Sequence, residues 1–144
     1  MLRLVAGLLR VAAAACAGLI TLGIMHGMWY GPVMKALGDP PAGNPHYHVW
    51  RTGWQIAAPL VAGMITGIVI LFGGSQRLVV SGLIAVFVQV VTVTLWWLAP
   101  TPTARITALI LSREWQAIII CVPLGTLATA LLLGRRATPA PGQR

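Results

Sequence analysis

Four long apolar stretches divide the chain, and charged or Pro-rich segments separate them. They cover residues 11–31, 52–74, 78–99 and 114–134, and their only charged side chain is Glu114, at the start of the fourth. About 20 residues of α-helix are needed to cross ~30 Å of hydrocarbon. Polar and apolar residues do not alternate as they do in barrel strands. The pattern predicts an all-α integral membrane protein, a four-helix bundle.

The connections between these stretches predict an antiparallel up-down order. Only a short Gly-rich turn (GGSQ, 73–76) joins the second and third stretches, which makes them antiparallel. Longer loops at 32–50 and 101–113 follow the first and third. We expect residues 1–136 to form one transmembrane domain, with an uncleaved first helix. The Pro-rich tail 137–144 lacks aliphatic side chains and is expected to be disordered.

Composition and charge agree with a membrane location. Hydrophobic residues make up 58% of the 144 residues, charged residues 8%, and the mean hydropathy is +0.85. Soluble domains have about 25% charged residues, so this composition excludes a soluble enzyme. The net charge of +8 comes from basic residues that flank the apolar stretches, so we expect a lipid bilayer as partner and no nucleic acid.

The distribution of basic residues predicts the orientation. The side that carries both termini would hold six of the ten: Arg3, Arg10, Arg77, Arg135, Arg136 and Arg144. The side of the two longer loops would hold the other four: Lys35, Arg51, Arg105 and Arg113. By the positive-inside rule, a cell-membrane protein of this kind has cytoplasmic N and C termini.

Aromatic and imidazole side chains concentrate at the opposite, outer end. All six tryptophans, both tyrosines and all three histidines fall there in the predicted topology. Interfacial aromatic belts usually decorate both membrane surfaces. The rings at this end either anchor the protein in the interface or line a pocket that opens near the outer leaflet.

Helical periodicity predicts which residues face the bundle. On the first helix, His26 and Tyr30 share a face with the ladder Gly23-x3-Gly27-x3-Gly31, a pattern that permits close helix packing. Polar stripes on the other helices would also turn inward. The outer half of the bundle would contain His26, Tyr30, Gln55, Gln89, Thr92, Trp96 and Glu114. We expect both cysteines, Cys16 and Cys121, to be free and buried, because they lie at different depths.

Several chemistries are open to these residues. A soft metal ion could use His26, His46 and His48, but no cysteine joins them. Proton-coupled transport needs more intramembrane carboxylates than this chain has. Acid–base chemistry needs only His26 as base with Glu114 or Tyr30 as partner, and no metal or cofactor. Contacts to the substrate would come from Gln55, Gln89, Thr92 and Trp96. Glu114 could equally stabilise the N-terminus of its own helix through the helix dipole, and the glutamines could form hydrogen bonds between helices.

The segment from His26 to Leu37 (HGMWYGPVMKAL) resembles the anthrone-oxygenase-like family of small four-helix membrane proteins. Residues 97–100 (WLAP) match the Pro-bearing turn that closes the family's third helix. Near the fourth helix this chain has Arg113-Glu114-Trp115 where the family pattern has an Asn-His pair. The resemblance implies a cofactor-free oxygenase acting on fused aromatic phenols.

Two functions follow from the sequence. The first is an oxidative or isomerising enzyme for an apolar, aromatic molecule in an outer pocket, which requires His26 and Glu114 to lie one substrate's width apart. The second is a non-catalytic accessory subunit that docks on a larger membrane-protein partner. That function requires Gly23, Gly27 and Gly31 to face away from the chain's own helices.

Overall fold

The structure, a computed structural model, describes residues 2–37, 46–72, 78–98 and 112–134. The helices are α1 (Leu2–Met28), a π-helical turn (Trp29–Val33), α2 (Met34–Leu37), α3 (Tyr47–Phe72), α4 (Leu78–Leu98) and α5 (Arg113–Gly134). All regular structure in these ranges is helical, and α1, α3, α4 and α5 pack together. The prediction of an all-α protein with four packed helices is confirmed. The predicted disordered tail, 137–144, lies outside the described residues.

Three of the four packed helices are long and apolar enough to cross a membrane. The segments are Leu4–Ala36, Tyr47–Phe72 and Arg113–Leu133, with mean hydropathies of 2.0, 2.1 and 2.1. The apolar part of α4, Val80–Trp96, is shorter. Large apolar side chains are exposed along all four helices. So much exposed apolar surface is unfavourable in water and is typical of a protein that contacts lipid.

Pro32 explains why α1 changes register near its end. Proline has no N–H to donate, and its ring clashes with the carbonyl four residues earlier. The chain therefore widens into a π-helical turn, in which the N–H of Met34 donates to the carbonyl of Trp29. The turn continues the helix to Leu37 without a break. It also rotates the residues that follow relative to the face of α1.

Contacts between helices fix their directions. Trp54 of α3 bonds to Met25 of α1, and Thr66 lies beside Gly18, so residue numbers run in opposite senses. Helices α1 and α3 are therefore antiparallel. Helix α4 is antiparallel to α3, because Gln89 bonds to Thr66 while Gly82 lies near Ile70.

Helix α5 runs parallel to α3, and these two helices share the most extensive contact. Gln55 bonds to Glu114 at one end, and Gly67 approaches Thr129 at the other. All four helices therefore alternate in direction along the chain. Helices α1 and α5 occupy one diagonal of the bundle, with α3 and α4 between them.

Glycines allow the close contact of α3 with α5. A Cβ built at Gly63 would overlap the carbonyl of Val122, and one at Gly125 would overlap the carbonyl of Leu60. The hydroxyl of Thr126 donates to the Gly63 carbonyl at 3.0 Å. Small residues in membrane helices let backbones approach in this way. Helical periodicity predicts one inward face of α3 that contains Thr52, Gln55, Pro59, Ala62, Gly63 and Thr66. The last four of these residues are buried, Gln55 is partly buried and Thr52 is exposed.

The predicted inward face of α1 is confirmed only in part: Gly23 and His26 border a space between the helices, but the glycine ladder makes no close helix contact. Nothing in the described structure lies within 4 Å of a Cβ built at Gly23, Gly27 or Gly31. The helix packs instead through Ala14 and Ala15, which are buried, and through Gly18. A Cβ at Gly18 would overlap both Thr66 and Gln89.

The two cysteines are free, but only one is buried. Cys121 lies in the packed face of α5, whereas Cys16 is exposed on α1. The expectation that Cys16 is buried is therefore wrong. Its exposure follows from the packing face of α1, because Cys16 lies beside the buried stripe and not within it.

Candidate functional site

A cavity of about 610 Å³ lies at one end of the bundle, where all four helices contribute to its wall. We call this end the aromatic end and the space the main cavity. The lining residues are Leu19, Leu22, Gly23, His26, Trp29, Arg51, Trp54, Gln55, Ala58, Pro59, Thr92, Val93, Trp96, Glu114, Trp115 and Ile118. Most of these side chains are apolar or aromatic, with a few polar groups among them. This is the usual make-up of a small-molecule site.

Two indole rings on one side of the main cavity are fixed by each other and by the backbone. Trp29 and Trp54 lie with ring centroids 5.9 Å apart, and Tyr47 packs on Trp29 at 6.2 Å. The Trp54 Nε1–H donates to the Met25 carbonyl at 3.0 Å. Trp29 is only 5% exposed although it ends a helix. A merely interfacial anchor would leave the ring in the headgroup region, so Trp29 is part of the packing.

The opposite side is formed by α4 and α5. The Trp115 Nε1–H donates to the hydroxyl of Thr94 at 3.1 Å, which ties the start of α5 to the end of α4. Ser112 caps α5, because its hydroxyl accepts from the Trp115 N–H at 3.2 Å. Trp96 is 78% exposed and lies at the edge of the cavity. On this side of the main cavity, side-chain hydrogen bonds fix the end of α4 and the start of α5.

Three polar side chains meet at the mouth of the main cavity. The Gln55 Nε2–H donates to Glu114 Oε1 at 2.9 Å, and an Arg51 nitrogen lies 3.6 Å from the same oxygen. A charge-assisted N–H···O bond spans about 2.7–2.9 Å, so Arg51 and Glu114 form a long ion pair. The side chains of Arg51 and Glu114 are 46% and 25% exposed. Glu114 is therefore fixed by Gln55 while both charges stay accessible.

His26, a residue of α1, lines the main cavity and is exposed. It lies one helical turn before the π-helical turn and faces the same space as Glu114 from α5. The cavity therefore places an imidazole and a carboxylate around one molecule-sized volume. Histidine is the side chain that exchanges protons most readily near neutral pH.

The main cavity brings together most of the residues expected there. His26, Gln55, Thr92, Trp96 and Glu114 line it. The hydroxyl of Thr92 donates to the Val88 carbonyl of its own helix. The side chain of Tyr30, the alternative catalytic partner, lies outside the described part of the chain. Its backbone belongs to the π-helical turn.

Gln89 was expected among the pocket residues, and this placement is corrected. Its Nε2–H donates to Thr66 Oγ1 at 2.6 Å, and the residue is only 3% exposed. The pair lies between α1, α3 and α4, and neither residue lines the main cavity. Helical periodicity put Gln89 on the correct face of α4, but a periodicity argument does not fix depth.

A second, polar space of about 390 Å³ adjoins the main cavity. We call it the polar cleft; its lining residues are His48, Arg51, Thr52, Gln55, Ser112, Arg113 and Glu114. Arg51, Gln55 and Glu114 line both spaces. The sequence analysis used Arg51 only for orientation and missed its position between the two spaces. The available signal was its position one helical turn before Gln55.

No group of three or more His, Cys, Asp or Glu side chains that could hold a metal ion occurs among the described residues. Comparison of the chain with family models, with curated proteins and with solved structures gives no match. The chemistry of this protein therefore has to be inferred from the site itself.

Proposed function

We propose that this chain is a multi-pass protein of the cell membrane, an up-down four-helix bundle with cytoplasmic termini, whose main cavity binds an apolar, aromatic molecule from the outer leaflet. In this proposal α4 crosses the membrane with the three longer helices. The size and lining of the cavity support an aromatic guest, since the rings of Trp29, Trp54 and Trp115 border it.

The chemistry proposed for the cavity is proton abstraction by His26. The observation that carries it is that His26 and Glu114 line one space of molecular size. His26 would remove a proton from an activated C–H of the bound molecule, and Glu114 would stabilise the imidazolium that forms. Gln55 holds Glu114 in place for this role. The Tyr30 hydroxyl is the alternative partner.

The anion that results has two possible fates. Return of the proton to a different carbon completes an isomerisation and needs no further reactant. In the oxidative form, which the resemblance to the anthrone-oxygenase-like family implies, dioxygen accepts the electrons. Both forms share the first step, so an experiment on that step tests both.

Deuterium exchange measures the first step without knowledge of the product. The purified protein in lipid nanodiscs is incubated in D₂O with a panel of apolar phenols and enolisable aromatic ketones, and carbon-bound deuterium is measured by mass spectrometry. We expect accelerated exchange for at least one compound and a loss of about 10²–10⁴-fold in His26→Gln. His46→Gln is the matched control, because His46 does not line the main cavity.

One result would refute the enzyme, and a second would call for a folding control. Exchange that is equal in the His26→Gln variant and the unmodified protein removes His26 as base. Exchange lost equally in both histidine variants points to a general effect on folding. Circular dichroism melting of each variant identifies that case. Loss of a single structural hydrogen bond should lower the free energy of unfolding by only about 1 kcal/mol, so a general effect on folding would appear as a larger loss.

The second candidate function, an accessory subunit of a larger membrane complex, is favoured by a different observation. A Cβ built at Gly27 or Gly31 meets none of the described residues within 4 Å, as that function requires, whereas Gly23 borders the main cavity. Purifying the protein under mild conditions and identifying the proteins that co-purify tests this second function. Gly27→Leu should release a partner without lowering the melting temperature, while Gly7→Leu, equally open at the other end of α1, should retain it. A protein that purifies alone argues against this function.

A further inference from the structure

Of the residues that line the polar cleft, only Gln55 and Glu114 take part in the proton transfer proposed above, and the composition of the cleft differs from that of the main cavity. Its charged lining consists of Arg51, Arg113 and Glu114, which leaves a net charge of one positive. Thr52 and Ser112 add hydroxyl groups, and His48 adds an imidazole. A cleft with two guanidinium groups and hydroxyl donors favours an anion.

The shared wall joins the cleft to the apolar space. Arg51, Gln55 and Glu114 border both volumes, so one ligand can extend from the main cavity past these residues into the cleft. The two volumes, about 610 and 390 Å³, differ in character: one has indole and aliphatic walls, the other charged and hydroxyl groups. A molecule that fits both has an apolar body and an anionic head.

The geometry at Arg51 is compatible with such a head. Arg51 lies 3.6 Å from Glu114, beyond hydrogen-bond distance. The Arg51 side chain therefore loses only a long ion pair when it turns toward an anion. Glu114 keeps its bond from Gln55 when Arg51 turns away. The carboxylate therefore stays fixed, and the guanidinium can offer its planar fork of N–H groups to phosphate, sulfonate or carboxylate oxygens.

We infer that the polar cleft binds the anionic head of an amphiphile whose apolar body occupies the main cavity. The inference rests on the proposed function only in placing an apolar molecule in the main cavity; it does not depend on His26 as base. The recognised chemistry is a tetrahedral or planar oxyanion attached to an apolar group. A free inorganic anion would share the head chemistry but not the apolar contacts.

Two fluorescent probes that differ only in charge test this inference. Anilinonaphthalene sulfonate carries an anionic sulfonate, and phenylnaphthylamine has the same rings without it. Binding to the protein in nanodiscs is measured by energy transfer from tryptophan, with empty nanodiscs as background. Four of the six tryptophans line the main cavity, so a probe bound there lies next to most of the energy donors. We expect the sulfonate probe to bind about tenfold more tightly than the neutral one.

Arginine variants assign the difference to the cleft. Arg51→Gln and Arg113→Gln should each weaken sulfonate binding several-fold to tenfold and leave the neutral probe unchanged. Arg10→Gln is the matched control, because Arg10 is exposed on α1 at the other end of the bundle. If Arg51→Gln does not fold, Arg113→Gln alone decides, since Arg113 is exposed and makes no contribution to the shared wall.

Each outcome separates this inference from the proposed function. Equal affinity for the two probes, or arginine variants that affect both probes alike, overturns the anionic head. Displacement of the sulfonate probe by inorganic phosphate at comparable concentration shows a free-anion site and overturns the amphiphile. Failure of the neutral probe to bind refutes the main cavity itself. The His26→Gln variant should bind both probes normally even where deuterium exchange is lost.

Discussion

Gly18 is the position where the structure makes its sharpest prediction about stability. A Cβ built there would overlap Thr66 Oγ1 and Gln89 Nε2, the two atoms of a buried hydrogen bond between α3 and α4. Gly27, on the same helix, meets nothing within 4 Å among the described residues. Alanine substitutions at these two glycines therefore add the same methyl group in opposite environments.

The expected magnitudes follow from three terms. Replacing a helical glycine by alanine favours the helix by up to about 1 kcal/mol. Overpacking a close contact costs about 1–3 kcal/mol, and loss of a side-chain hydrogen bond between membrane helices costs about 0.6 kcal/mol on average. Gly18→Ala should thus lower the free energy of unfolding by about 1–3 kcal/mol. Gly27→Ala should leave it unchanged or raise it slightly.

Unfolding of both variants in detergent, followed by circular dichroism, measures the difference. A double-mutant cycle then tests the cause, since Gly18→Ala should cost less in a Gln89→Ala background, where one of the two overlapping groups is absent. The reasoning is refuted if Gly18→Ala is as stable as Gly27→Ala. It is also refuted if the cost of Gly18→Ala is the same with and without Gln89.

Three further predictions concern orientation, the aromatic wall and the buried polar pair. A reporter fused to the C-terminus should be cytoplasmic and one inserted at residues 39–44 extracytoplasmic; the reverse pattern would refute the proposed orientation. Trp54→Phe keeps an aromatic ring but removes the N–H that bonds to a main-chain carbonyl of α1, so it should lower unfolding stability by about 1 kcal/mol and leave neutral-probe binding within a few-fold. Gln89→Leu removes the bond to Thr66 and should reduce stability without changing the affinity of either probe, because Gln89 lies outside the main cavity; a binding defect in a folded variant would contradict that placement.

Hydropathy and periodicity predicted most of the fold because each depends on one helix at a time. The inward face of α3 was predictable, since its small and polar residues, Pro59, Ala62, Gly63 and Thr66, form a single stripe. Helix α1 carries small residues on two stripes, one through Gly18 and one through Gly27. Lipid and protein interiors are equally apolar, so hydropathy does not distinguish the stripes. Only the shape of the neighbouring helices selects Gly18.

The site shows the same division between face and depth. Periodicity predicted that both Gln55 and Gln89 face the bundle interior. It did not predict that Gln55 lies at the depth of the main cavity and Gln89 at the depth of Thr66. Arg51 was missed for a related reason: a basic residue at a helix end fits the orientation rule without any further role. Its second role depends on Glu114, which is distant in sequence, and no single-helix pattern contains that pairing.

Depth separates two kinds of polar contact in this bundle. Gln89 is only 3% exposed, and its bond to Thr66 is sealed between three helices. A polar pair so enclosed can specify helix packing, but it cannot reach a ligand without unfolding. Arg51 and Glu114 retain 46% and 25% exposure beside the main cavity, so they can exchange partners.

Gln55 and Thr66 mark two different levels along α3. Gln55 and Thr66 are eleven residues apart, which corresponds to about 16 Å of helix. Substitutions at the level of Thr66 should therefore change stability while binding is preserved, and those at the level of Arg51 should change binding while stability is preserved. Because surface ion pairs contribute at most about 1 kcal/mol, loss of the Arg51–Glu114 pair should lower the free energy of unfolding only slightly, while a change in anion binding on its loss would support the ligand role proposed for the cleft.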